Sequence, residues 1–95
     1  MRKPSGNAST MASDRMGRLP RTRARFAGRE AAVERAFGAS APFRDLCRDY
    51  LACVAALERW QGSKSREALL RTAEYSDLKD ELTREIEVRL GAHER

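Results

Sequence analysis

Apolar residues recur at alternating steps of three and four between positions 43 and 60. Phe43, Leu46, Tyr50, Cys53, Leu57 and Trp60 share one helical face, with Cys47, Leu51 and Val54 broadening it on one side. Arg44, Asp45, Arg48, Asp49, Ala52, Ala55, Ala56 and Arg59 fill the opposite face, a water-facing set with small residues in its middle. The spacing predicts an amphipathic helix over about 42–60. Pro42 suits its first turn, where the amide hydrogen that proline lacks would have no helical partner. Gly62 suits its stop, because the residue just past a helix often takes a positive φ that glycine reaches without a Cβ clash.

A second stripe follows. Ala68, Thr72, Tyr75, Leu78, Leu82, Ile86 and Leu90 line one narrow face of a helix expected over about 65–90, with Leu69, Leu70 and Val88 lying off it. Ser63 or Ser65 can cap it, and Glu67 in the first turn complements the positive end of the helix dipole. The short link Gln61-Gly62-Ser63-Lys64-Ser65 makes the two segments an antiparallel hairpin.

The lengths do not match. At about 1.5 Å per residue the first helix runs roughly 28 Å and the second roughly 37 Å. A tight turn at Gly62 brings Phe43 level with about Arg84, so Ile86 and Leu90 extend past the cover of the first helix. An earlier segment or another copy must bury them. Glu30–Phe37 is the candidate within the chain: Val33 and Phe37 on a short helix of about 30–37, stopped by Gly38, can fold back over Ile86 and Leu90. Phe26 would share their side if the helix began earlier, but Gly28 opposes that at a cost of about 1 kcal/mol relative to alanine.

Ahead of this lies a different composition. Met1–Pro20 is rich in Ser, Gly, Asn, Arg and Pro and too poor in apolar residues to repay ordering. Residues 1–28 are therefore expected to form a disordered basic arm, with Met11 and Met16 as alternative starts, ahead of a helical domain over 29–95. The expected fold class is all-α: an antiparallel helical hairpin with a short extra N-terminal helix and that arm.

Charge sharpens the division. The chain's formal net charge is +5. Residues 1–38 hold nine basic groups against three acidic ones, a net +6, and residues 39–95 are close to neutral at −1. Arg18, Arg21, Arg23, Arg25 and Arg29 are the candidate anion or nucleic-acid contacts, able to neutralise phosphates by counterion release. A bias toward arginine-rich coding accounts for part of this, since arginine outnumbers lysine sixteen to three. It does not explain the scarcity of acids before Glu30.

Candidate chemistry adds little. There is no glycine-rich phosphate loop, nucleophile elbow or zinc-ligand spacing, and His93 is the one histidine. Asp77, Asp80, Glu81 and Glu85 read as a solvated helix face, and Tyr50, Trp60 and Tyr75 as core packing. No catalytic residue, metal ligand or cofactor is expected. Cys47 and Cys53 are six residues apart, about 9 Å along a helix axis, too far for a bridge within one chain. They read as reduced, buried thiols in a cytoplasmic protein, with a bridge between copies or a metal site as the sharper alternative. No apolar run approaches the length of a membrane span, and no hydrophobic signal region follows Met1.

These features point to a small non-catalytic interaction module, an adaptor, accessory subunit or regulator, that pairs through its seam with a second copy or with a larger protein. Tyr75, Leu78, Leu82, Ile86 and Leu90 are the expected interface residues. The alternative is a nucleic-acid-associated protein that uses its basic arm. Seam, turn and charged second helix are generic to helical hairpins, and fold alone assigns no role.

Overall fold

The computed structural model describes residues 17–94. The chain is all-α, with four helices among the described residues: α1 Leu19–Arg25, α2 Glu30–Ala39, α3 Ala41–Gln61 and α4 Arg66–Gly91. Helices α3 and α4 form the antiparallel hairpin and share the largest interface, while α2 packs against both and α1 against α2 and α3. The disorder expected for residues 1–16 lies outside the described residues.

Local chemistry sets the ends of the two long helices. Ser40, in extended conformation, caps α3 by accepting a hydrogen bond from the Phe43 amide at 3.1 Å, and Pro42 occupies the first turn. Ser65 caps α4 in the same way, accepting from the Ala68 amide at 3.2 Å. The register is marked by Cys53, whose Sγ donates to the Tyr75 carbonyl at 3.3 Å across the seam. That contact brings Phe43 level with about Glu85, one residue from the position that a tight turn implies.

The core lies at the open end of the hairpin. Val33 and Phe37 of α2, Phe43 and Cys47 of α3, and Ile86 and Leu90 of α4 are almost completely buried and belong to one cluster. The end of α4 that outruns α3 is thus covered by α2 of the same chain. Two arginines fasten this end from outside. Arg29 binds the Glu94 carboxylate through Nε and Nη2, and Arg35 donates to the His93 carbonyl from Nε at 2.8 Å and also from Nη2.

Several boundaries differ from the sequence reading, each for a local reason. Residues 17–28 are not part of an unstructured arm. Leu19, Thr22 and Phe26, at helical spacing, are all buried, and the Phe26 ring meets Tyr50 with centroids 5.6 Å apart. Pro20, in the first turn of α1, is compatible with that helix. Gly38 does not stop α2, which continues to Ala39 and ends where Ser40 turns extended at φ −139°. Gly62 ends α3 at φ −82°, so its freedom at positive φ is unused. Gly28 is the residue that needs that freedom. At φ 86° it forms the corner between α1 and α2.

Candidate functional site

Helices α3 and α4 leave a groove on one side of their seam. Asp49, Ala52, Cys53, Ala56 and Arg59 form the α3 wall, and Tyr75, Leu78 and Leu82 the α4 wall. The shape follows from side-chain size. Ala52 and Ala56 stop at Cβ, while the leucines one helix away stand up from the surface, so the seam is hollow on the α3 side. Leu78 is 42% exposed and Tyr75 and Leu82 are partly buried. Asp49 and Arg59 sit at opposite ends of the α3 wall, about 15 Å apart along the helix axis.

Three of the five residues expected at an interface therefore meet at this groove. Ile86 and Leu90 do not. They are fully buried by α2 and belong to the core, which corrects their assignment to an exposed surface. The physical reason is that folding back a short helix covers the overhang more cheaply than recruiting a second chain, since the entropy of association is avoided.

The arginines expected to contact anions are engaged inside the chain. Arg23 pairs with Glu34 at 3.5 Å, Arg25 with Glu58 at 3.7 Å and Arg29 with Glu94 at 2.7 Å. Arg21 donates through Nε to the Gly17 carbonyl at 3.2 Å, and Arg18 also has an interaction within the chain. The row thus ties α1 and α2 to acidic groups on α2, α3 and the tail beyond α4. Sequence spacing reveals the row of cations but not the carboxylates, which come from distant positions.

Titration behaviour agrees with this geometry. Hydrogen bonding to Arg29 holds the Glu94 carboxyl below the usual glutamate range, and the same contact raises Arg29. Glu30 is also lowered, by hydrogen bonds from its own backbone and that of Gly28 at the start of α2. Burial pushes the Cys53 thiol up, against a smaller opposing effect of Lys79. Cys47 and Cys53 are both buried and form no disulfide.

At the closed end of the hairpin is a second exposed apolar feature. Leu69 and Leu70, in the first turns of α4, are 80% and 60% exposed, and the partly buried Trp60 lines a hollow with Leu69. The sequence stripe already excludes both leucines from the seam, but without a structure such residues are indistinguishable from scattered surface leucines. Among the described residues no group of three His, Cys, Asp or Glu side chains could hold a metal ion, and no helix is long and apolar enough to cross a membrane. Comparison with protein-family models, curated proteins and solved structures finds no match to this chain.

Proposed function

We propose that this protein is a small non-catalytic interaction module that self-associates through the groove between α3 and α4. The observation that carries the reading is the half-exposed Leu78 standing beside the hollow at Ala52 and Ala56. A second copy fits because the groove is charged in opposite senses at its two ends. When α3 packs antiparallel on its own symmetry mate, Asp49 of each copy meets Arg59 of the other, and Leu78 gains apolar cover. Among the described residues Asp49 is otherwise met only by an exposed contact with Arg48 at 3.6 Å, which contributes little.

The reading includes a reducing, cytoplasmic setting, supported by two buried and unbridged thiols. Binding of nucleic acid by Arg18, Arg21, Arg23, Arg25 and Arg29 is the weaker proposal, because carboxylates of the same chain already neutralise three of the five.

Sedimentation over a concentration series tests the assembly. The expected result is a dimer that Leu78→Asp converts to monomer. Asp49→Arg and Arg59→Asp should each weaken it, and the two together should restore it. A wild-type monomer at high concentration, or a dimer indifferent to Leu78→Asp, would overturn the reading.

A further inference from the structure

We propose that the closed end of the hairpin is a docking surface for an anionic phospholipid bilayer. It is distinct from the groove and does not rest on self-association. Leu69 and Leu70 project there, 80% and 60% exposed, and Trp60, in the last turn of α3, lines a shallow hollow together with Leu69, Lys64 and Arg66. Lys64 in the turn and Arg66 at the start of α4 are both exposed. The carboxylates nearest in sequence are already engaged: Glu58 faces Arg25, and Glu67 accepts from Arg71. Lys64 and Arg66 have no carboxylate partner among the described residues, so the apolar tip is rimmed by unneutralised positive charge.

The form of the tip favours a bilayer over a folded partner. Two helix ends side by side present a face of about 20 Å by 10 Å, far short of the roughly 800 Å² per partner that a stable protein interface covers. Adjacent leucines on a helix point about 100° apart, so no single rigid groove receives both. A fluid acyl boundary accommodates both at once. Leucine and indole then enter the interfacial layer while lysine and arginine stay at the level of anionic headgroups. Every element of the tip is used: apolar projections for insertion, an amphipathic ring at the boundary, and cations for the negative leaflet.

Trp60 is the chain's one tryptophan, so its emission reports on this tip alone. The full chain is mixed with phosphatidylcholine vesicles with and without about 30 mol% phosphatidylserine. The expected result is co-sedimentation with a blue shift of Trp60 emission on the anionic vesicles, absent on phosphatidylcholine and reversed by high salt.

Leu69→Asp/Leu70→Asp and Lys64→Glu/Arg66→Glu should each reduce binding by about tenfold or more. Far-UV circular dichroism should be unchanged, because all four side chains are exposed. Co-sedimentation without a shift of Trp60 would locate the contact elsewhere in the chain and overturn the proposal. Binding by either variant equal to that of the unsubstituted chain would also overturn it, as would a shift produced by polyglutamate but not by anionic vesicles.

Discussion

Arg29 and Glu94, 65 residues apart, meet in a two-pronged contact: Nε reaches one carboxylate oxygen at 2.7 Å and Nη2 the other at 2.8 Å. Arg29 stands at the N-terminal boundary of α2 and Glu94 just beyond α4, so the contact closes the open end of the hairpin over Ile86 and Leu90. The guanidinium fork matches a carboxylate in plane, which gives the pair a fixed geometry that a lysine could not reproduce.

Acid should loosen this closure. Glu94 and Glu30 both titrate below the ordinary glutamate value of 4.5 in the folded chain. A depressed carboxylate stabilises the fold above its unfolded value, and that contribution disappears as pH falls through the lower, folded value. Thermal midpoints should therefore be level above about pH 5 and decline below it. Glu94→Gln should lower the midpoint near neutral pH and flatten the acid decline. An acid profile identical to wild type in Glu94→Gln would show that the pair does not carry the effect.

A threonine in α1 offers a stabilising change. Thr22 is completely buried, and its Oγ1 is the one buried side-chain polar atom without a partner among the described residues. A hydroxyl in that state has lost its water without replacement. Thr22→Val keeps the branched shape and removes the orphan, so it should raise stability by about 1 kcal/mol in denaturant titration. A loss of stability would indicate that Oγ1 is hydrogen-bonded in solution.

Two glycines should respond in opposite ways. Gly28 sits at φ 86° with open space where a Cβ would go, so Gly28→Ala is penalised by backbone conformation and not by contact. The left-handed penalty predicts a loss of about 1–2 kcal/mol. Gly62, at φ −82°, would place a Cβ at ordinary distances of 3.6 and 3.7 Å from the Arg59 and Glu58 carbonyl oxygens. Gly62→Ala should be neutral or stabilising by up to about 1 kcal/mol, through reduced freedom of the unfolded chain. Equal losses in both variants would contradict the assignment of the corner to Gly28.

This pair of glycines shows where the sequence could be read and where it could not. Helix periodicity gives α3 and α4 and their register, because Phe43 to Trp60 and Ala68 to Leu90 repeat often enough for a face to emerge. Even the cover of Ile86 and Leu90 by Val33 and Phe37 follows from comparing helix lengths. The missing element is α1, whose seven residues carry little apolar content beyond Leu19 and are helical because Leu19 and Thr22 are buried against the rest of the fold. Tertiary burial overrode a polar composition there. The groove was only partly legible. Tyr75, Leu78 and Leu82 lie on the seam stripe together with Ile86 and Leu90, and only α2 separates exposed members from buried ones.

The thiols should be silent in the folded protein. Cys47 is completely buried, Cys53 is 3% exposed, and burial holds the Cys53 thiol in its protonated, unreactive form. Both should react with an aromatic disulfide reagent only as fast as the chain opens, and at once in denaturant. Rapid modification of one thiol under native conditions would mean that the α3–α4 seam opens locally near Tyr75, whose carbonyl accepts from Cys53.

The sharpest test of the core uses two residues on the same turn of α4. Ile86 has no exposed surface and packs in the cluster with Val33, Phe37 and Leu90, whereas Val88, two residues later, is 77% exposed. Ile86→Ala removes buried methyl groups and leaves a cavity bounded by three helices, so it should cost about 2–5 kcal/mol. Val88→Ala removes surface that water already covers and should change stability by no more than about 0.5 kcal/mol. If α2 were not docked, Ile86 would keep only the neighbours that α3 offers, such as Phe43, and lose the cover of Val33 and Phe37, so the gap between the two substitutions would shrink. A large difference in denaturant midpoint at unchanged slope is therefore the expected signature of α2 closing the hairpin from within one chain.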